Sequence, residues 1–456
     1  MSDHLFDVVI LGGGSGGYAA ALRARQLGRT VALVESDLLG GTCLHRGCIP
    51  TKAMLHVAEI ADSVREGRSV GVLGDYHGIE PAGMQAYKKK VVSRLYGGLQ
   101  GLVDRSGVVL VPGHGVVVDA TAVRVGDSLY RGQQLIIATG SSPTRPAFLP
   151  EDAGVITSDE ALDLERLPQS VIVLGGGVIG CEFASAWASM GISVTMVEAA
   201  GSLVPEADSE VSRRLERGLK RRKVRIKTGH AVTSCERRGD VLAIAVGDGS
   251  TVAAEMVLVA VGRTPRTAGI GLEEIGVDVS DSGHIKVDEL GRTNVDGVWA
   301  VGDIIATYQL AHAGFAEGIL AAEAGAGLEV QPIAYDAMPR IVYSHPEVVA
   351  VGLTEEEALT TAPGRVRSFT YDLAGNGKTQ ILGGQGMAKV ILVDERTVGV
   401  HLVGPRVSEL AAQAQTIIAS GTPSAAVAAN VHPHPTQSEA LGEAYLALQG
   451  KALHVH

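Results

Sequence analysis

Short apolar runs, closed by glycine or by glutamate, alternate with helical spacing along the first half of the chain. The run Asp7–Leu11 stops at Gly12, a 3.6-residue pattern follows from about Gly14 to Leu27, and a second run, Thr30–Val34, ends on Glu35. Runs this short, bounded by glycine and rich in valine, predict strands buried on both faces; the pattern between them predicts a helix. The plan recurs. Val171–Leu174 leads to Gly175, a helix spans Glu182 to Met190, and Ser193–Val197 ends on Glu198. After each unit comes an alternating stretch, "GVVLVPGHGVVVDATAVRV" and "VRIKTGHAVTSCERRGDVLAIAV", which predicts an antiparallel meander. Each closes on a similar strand and turn, "LIIATGSSP" and "VLVAVGRTP".

The two turns share a glycine spacing. Gly12, Gly14 and Gly17 stand in the first, and Gly175, Gly177 and Gly180 in the second. In both an acid follows 18 residues past the third glycine. One such match reads equally well as a glycine turn in an ordinary sheet. Two, each inside a strand–helix–strand unit, point to two dinucleotide sites. The first glycine makes the turn, the second lets backbone approach a pyrophosphate, and the third lets helix pack on strand. The helix N-terminus then offers N–H groups and a positive dipole end to phosphate. Glu35 and Glu198 stand where a carboxylate accepts ribose hydroxyls. Glu198 would repel a 2′-phosphate, and no arginine follows it closely, so the second site favours NAD over NADP.

Composition narrows the field. The chain has 456 residues, room for about three domains, and a formal net charge of −11. Nucleic acid and anionic membrane surfaces call for a basic face, so neither is an expected partner. The N-terminus lacks a basic start and cleavage site, and no run reaches about 18 apolar residues. Four cysteines in a chain this long make no disulfide framework. Cys181 and Cys235 stand alone and are expected to be buried or inert. A protein of a reducing compartment, the cytoplasm, is the expectation.

The first unit differs from the second by an insertion, "GGTCLHRGCIPTKAML", holding Cys43 and Cys48. Leu55, Ala58, Ile60, Ala61 and Val64 follow helical spacing, and Pro50 suits a first turn. Cys48 then lies at or just before a helix N-terminus, whose field favours thiolate; Lys52 adds positive charge. Zinc sites usually supply two close pairs, and only one is present, so no metal is expected. A thioredoxin-type site would use two intervening residues, not four. Two unrelated buried cysteines remain open on spacing alone. Two dinucleotide sites and a cysteine pair suggest an electron path, with FAD as the fixed dinucleotide beside the cysteines.

The segment "GGTCLHRGCIPTK" resembles the redox-active disulfide segment of the FAD-dependent pyridine nucleotide–disulfide oxidoreductases, and the likeness runs from "DVVILGGGSGGYAAALRARQLG" to the C-terminus. It implies an α/β chain: two Rossmann-like dinucleotide-binding domains with antiparallel meander insertions, plus a C-terminal α+β interface domain. The implied divisions are 1–149 (FAD), 150–270 (NAD), 271–335 (a central part completing the FAD site) and 336–456 (dimerisation). Carried over, Cys43 is the interchange thiol, Cys48 the charge-transfer thiol, and Lys52 pairs near the flavin with Glu182. Val178 falls where a side chain gates the nicotinamide pocket. "NVDGVWAVGDI" resembles the second flavin motif, with Asp303 on the ribityl chain; Gly115, Thr139, Gly140 and Ala311 fall at flavin contacts, and Val232 and Gly262 at NAD contacts. Three positions depart from the family pattern: His45, Thr51 and Phe315.

The far end reads "NVHPHPTQSEALGEAYLAL". Thiol exchange needs a base, histidine titrates in the right range, and a carboxylate partner would orient it. His434 with Glu439 supplies both; Thr436 with Glu439 also reads as a capping box ahead of an apolar helix, and the two roles can coexist. The resemblance selects His434 over His432, which becomes a neighbour that tunes it. It implies a homodimer in which this segment reaches the partner's disulfide, and oxidation of dihydrolipoamide by NAD. The lipoyl group would be carried by the acyltransferase of a 2-oxoacid dehydrogenase complex or by a glycine-cleavage carrier protein. Glutathione, mycothiol and mercuric reductases are the rivals within the family.

Overall fold

The computed structural model describes residues 2–455. The chain divides into two compact units. The first comprises Met1–Ala53, Ala82–Thr144 and Gly262–Ile333; the second comprises Met54–Pro81, Arg145–Val261 and Ala334–His456.

The first unit is built on a seven-stranded sheet. Its centre is Ser2–Leu11, flanked in parallel by Val31–Glu35 and by Ser128–Ile137. Val109–Pro112 pairs in parallel outside Val31–Glu35, and Val298–Ala300 pairs in parallel with Ser128–Ile137. The strands Gly115–Asp119, Ala122–Val125 and Ser128–Ile137 form the antiparallel meander. The central strands bury both faces, which is why they read as unbroken apolar runs. Val8, Ile10, Leu33 and Ile136 face Ala20, Ala21, Ala24, Ala321 and Ala322 of two helices. Val9, Leu11, Val34, Leu135 and Ile137 face Ile270, Leu272, Ile285 and Ile304. Those helices, Ser15–Gln26 and Ala311–Gly325, approach closely: a Cβ on Gly318 would lie 2.1 Å from the Gly16 carbonyl oxygen.

The second unit repeats the plan in a five-stranded parallel sheet ordered Arg225–Lys227, Ser193–Val197, Ser170–Leu174, Met256–Val259, Val155–Ile156. A three-stranded meander, Val232–Arg238, Val241–Val246 and Thr251–Ala254, follows. The C-terminal part is a five-stranded antiparallel sheet ordered Arg340–Val342, Glu347–Gly352, Arg396–Gly404, Met387–Val393, Val366–Asp372. Helices Ala411–Ser420 and Glu439–Leu448 pack on one face, burying Leu441, Ala444 and Tyr445 against Val349, Val390, Leu392 and Val400.

Two expectations need correction. Neither alternating stretch begins as meander: Val109–Pro112 and Arg225–Lys227 are parallel edge strands. Val109 and Leu110 are exposed while Val111 is buried, so this first strand is apolar without being covered, and its sequence does not show which way its neighbour runs. Thr436 makes half a capping box. Its amide donates to Glu439 Oε2 at 2.7 Å, but its hydroxyl donates to the Pro433 carbonyl instead of accepting from the helix, which begins at Glu439.

Candidate active site

The glycine triplets show what each position requires. Gly12 has φ 108°, and a Cβ there would meet the Ala138 carbonyl oxygen at 2.3 Å. A Cβ on Gly17 would lie 1.8 Å from the Gly12 oxygen, so the third glycine is demanded by helix-on-strand packing. Around Gly14 nothing lies within 4 Å of that position, which leaves the backbone open on the side where a pyrophosphate would approach. The second triplet repeats this. Gly175 has φ 104° and would clash with the Ala260 oxygen at 2.2 Å, Gly180 would clash with the Gly175 oxygen at 2.1 Å, and Gly177 is open. Gly14 and Gly177 immediately precede helices Ser15–Gln26 and Val178–Ser189. The acids match as well. Glu35 accepts Gly13 N (2.6 Å) and Asp37 N (2.8 Å); Glu198 accepts Gly176 N (2.5 Å) and Ala200 N (2.6 Å). Each carboxylate oxygen keeps a second lone pair for a hydroxyl. Both cradles therefore fit a dinucleotide.

The inserted segment folds as a short helix, Gly41–Arg46, then Gly47, then the 19-residue helix Cys48–Glu66. Cys43 sits in the short helix and Cys48 opens the long one, where backbone amides face an anion. The two thiols form a hydrogen-bonded pair. That hydrogen bond, then burial, then the charge of Cys48, push the Cys43 thiol up, and Lys52 opposes them only in part. The Cys43 thiol therefore holds its proton beside Cys48, and the two sulfurs titrate as a pair. Tyr18 is raised to about 12 by burial and then by the two sulfurs, so its phenol stays neutral beside them. Lys52 lies in the same helix, and the amide of the buried Thr51 donates to Gly47 O.

The departures have partners. His45 Nε2 is 2.9 Å from Leu39 O, and its ring meets Tyr96 edge-on at 5.0 Å. Phe315 packs against Tyr18, centroids 5.5 Å apart.

Asp303 belongs to a network. Ser141 Oγ donates to Asp303 Oδ2 at 2.5 Å, and Arg263 Nε donates to Ser141 Oγ at 2.7 Å. The Asp303 side chain stays partly exposed, as suits a carboxylate that would meet a ligand hydroxyl. Thr139 Oγ1 donates to Arg266 O at 2.8 Å; Gly140 and Gly262 both have positive φ with open space at the Cβ position. Gly115 is glycine for packing, since a Cβ would lie 2.6 Å from Leu11. Ala311 opens its helix. Glu317 was missed: this buried carboxylate accepts Gly302 N at 2.6 Å and Thr307 Oγ1 at 2.7 Å, tying the turn before Asp303 to the helix. The available signal was a carboxylate among the apolar residues of this helix, whose second acid, Glu323, pairs with Arg23.

In the second unit Glu182 is buried on the helix Val178–Ser189 and accepts Tyr343 N at 3.0 Å. Val178, the first residue of that helix, is 38% exposed, and Val232 begins its strand half-buried. His434 Nδ1 is 2.8 Å from Glu439 Oε1, with the imidazole exposed. Burial pushes the Glu439 carboxyl up, but the Thr436 amide and His434 outweigh it and hold it below the usual range. His432 packs against Gly442, and burial lowers its basicity. Among the described residues no group of three His, Cys, Asp or Glu is placed to hold a metal, and no helix is long and apolar enough to cross a membrane.

Two dinucleotide cradles and a close cysteine pair in one chain make an oxidoreductase of the dinucleotide-dependent, thiol-exchanging class. The chain belongs to the pyridine nucleotide-disulphide oxidoreductases: residues 6–318 match that family and residues 338–445 match its dimerisation domain. It is 39% identical to a dihydrolipoyl dehydrogenase of Bacillus subtilis, covering 98% of this chain and 99% of the relative. It is 36% identical to the mitochondrial dihydrolipoyl dehydrogenase of Pisum sativum over 98% of this chain and 92% of the relative. Among solved structures, LpdA from Mycobacterium tuberculosis superposes with a TM-score of 0.90 at 25% identity, covering 98% of this chain and all of that one.

Proposed function

We propose that this chain oxidises protein-bound dihydrolipoamide to lipoamide with NAD+ as acceptor, by disulfide exchange at Cys43 and Cys48. The observation that carries the reading is His434 held against Glu439 at 2.8 Å, within the stretch that matches the family's dimerisation domain. Glu439 accepts from Nδ1–H, which leaves Nε2 as the basic nitrogen.

In a homodimer the base for one cysteine pair is the partner subunit's His434. The partner subunit's His434 removes a proton from one substrate thiol, and the thiolate attacks Cys43 Sγ. The Cys43–Cys48 bond breaks, and Cys48 leaves as thiolate at its helix N-terminus, four residues before Lys52. The second substrate thiol then attacks the substrate sulfur of the mixed disulfide. The lipoyl ring closes and Cys43 leaves. Two electrons have passed to the cysteine pair. One released proton ends on Cys43 and the other on the partner subunit's His434, facing the Cys48 thiolate. FAD and NAD+, when bound, supply the two-electron chemistry that restores the disulfide. Glu35 and the first glycine turn would hold the FAD, with Asp303 on its ribityl chain; Glu198 and the second turn would hold the NAD+.

The physiological substrate is then the lipoyl arm of a 2-oxoacid dehydrogenase acyltransferase or of a glycine-cleavage carrier protein. A reducing compartment, the cytoplasm, suits a pair that cycles between thiol and disulfide. The test compares dihydrolipoamide with glutathione, and NAD+ with NADP+, in steady state. Dihydrolipoamide with NAD+ should lead either alternative by about 100-fold or more in kcat/KM. Comparable glutathione turnover, or a preference for NADP+, would overturn the reading.

A further inference from the structure

The two repeated units end in the same strand and turn, and aligning "LIIATGSSP" with "VLVAVGRTP" puts Ser141 and Arg263 at the same position of the repeat. The structure brings these equivalents together. Ser141–Pro143 and Arg263–Pro265 pair antiparallel, Pro143 opposite Arg263 and Ser141 opposite Pro265. The flanking bonds are reciprocal: Thr144 N donates to Gly262 O at 3.0 Å and Arg266 N donates to Gly140 O at 2.9 Å. Across this local two-fold, the repeat has diverged at one site into an acceptor and a donor. Arg263 gives Nε to Ser141 Oγ (2.7 Å) and Nη2 to Ser141 O (3.0 Å), a fork that lysine cannot reproduce.

The serine hydroxyl has one proton. With Arg263 donating to its oxygen, that proton is directed to Asp303 Oδ2, 2.5 Å away. The guanidinium Nε is itself 3.7 Å from Oδ2, close enough to act on the carboxylate as a charge. Ser141 is 3% exposed and the Arg263 side chain 12%, so water screens the relay poorly. The Asp303 side chain, 28% exposed, stays open to a ligand.

We propose that Arg263, acting through Ser141, is a positioning residue for Asp303, and so sets how tightly the enzyme retains its flavin. The proposal rests on the reading of Asp303 as a ribityl ligand. Arg263 touches neither substrate nor reacting atoms in this account. It orders the carboxylate at the point where the two repeats cross.

The test follows release of FAD from the holoenzyme by flavin fluorescence, in Ser141→Ala, Arg263→Met, Arg263→Lys and Asp303→Asn, and in the double variant Ser141→Ala/Asp303→Asn. Ser141→Ala removes one buried oxygen and leaves the strand pairing intact, so it remains interpretable even if Arg263→Met folds poorly. Ser141→Ala and Arg263→Met should each speed release about tenfold, and Arg263→Lys should recover only part of this. The double variant should release FAD no faster than Asp303→Asn alone. Additive effects, or wild-type release in Ser141→Ala while Asp303→Asn releases fast, would overturn the relay and leave Asp303 in place. Wild-type release in Asp303→Asn would overturn the ribityl assignment and the relay with it.

Discussion

Glu439 divides its carboxylate between two partners: Oε1 lies 2.8 Å from His434 Nδ1, and Oε2 accepts the Thr436 amide at 2.7 Å. The backbone bond fixes where the carboxylate points, and the carboxylate then fixes which imidazole nitrogen is basic. The base and its orienter are therefore tied by two hydrogen bonds to a single helix start and are not two independent side chains.

From this it follows that His434→Ala should lower dihydrolipoamide kcat by about 10² to 10⁴, the usual share of general acid–base catalysis. Reduction of the enzyme by NADH, which asks nothing of this base, should keep its wild-type rate. Stopped-flow measurement of both half-reactions separates the two. Glu439→Gln should fall between the variant and wild type, since a neutral amide can still accept from Nδ1–H but stabilises imidazolium less. Equal loss in both half-reactions would mean that His434 supports the fold and not proton transfer.

The cysteine pair carries a different asymmetry. Hydrogen bonding to Cys48, then burial, keeps the proton on Cys43. In the two-electron-reduced enzyme the thiolate should therefore belong to Cys48. Cys43→Ser should keep the long-wavelength charge-transfer absorbance near neutral pH, and Cys48→Ser should abolish it. A band that follows Cys43 would reverse the two roles.

How far the chain could be read in advance differs between its parts for physical reasons. Glycine triplets announce themselves because only the absence of a Cβ satisfies positions such as Gly17, where a Cβ would lie 1.8 Å from the Gly12 carbonyl oxygen. Cys43 and Cys48 lie close in sequence, and the helix between Cys48 and Glu66 follows from spacing and Pro50. By contrast Val109–Pro112 was unreadable as a parallel edge, because a four-residue apolar run is the same whichever way its neighbour runs. The relay of Ser141, Arg263 and Asp303 joins residues 122 and 162 positions apart, and periodicity carries no information across such gaps. Local patterning likewise cannot say where the Thr436 hydroxyl goes, since a serine or threonine has several backbone acceptors within reach.

A third consequence concerns stability. Lys389, on the antiparallel sheet, is buried with its ammonium 2.9 Å from both oxygens of Asp208 and 2.8 Å from Glu355. Burial alone would raise the Asp208 carboxyl, but Lys389 and the amides of Glu355 and Glu210 bring it below the usual range. A folded-state pKa below the unfolded one stabilises the protein above the unfolded value and is lost as pH falls through the folded one. Lys389→Met strands two carboxylates and should cost about 3 kcal/mol at neutral pH. The gap between wild type and variant in urea midpoint should narrow as pH falls through the depressed range in which folded Asp208 takes up its proton. A gap independent of pH would mean that lost packing of the lysine stem, not its charge, accounts for the cost.

The glycines of the second cradle separate binding from folding. A Cβ on Gly180 would lie 2.1 Å from the Gly175 oxygen, whereas one on Gly177 meets nothing within 4 Å. Gly180→Ala must push the helix Val178–Ser189 off its strand and should destabilise the protein by about 3 kcal/mol, seen as a lower thermal midpoint even without nucleotide. Gly177→Ala has room in the folded protein, so its midpoint should stay at the wild-type value. Its methyl stands on the open side of the turn, where the pyrophosphate needs close backbone approach, so KM for NAD+ should rise about tenfold or more while exchange of thiols with dihydrolipoamide is unaffected. Unchanged KM in Gly177→Ala would mean that the dinucleotide does not lie against this turn.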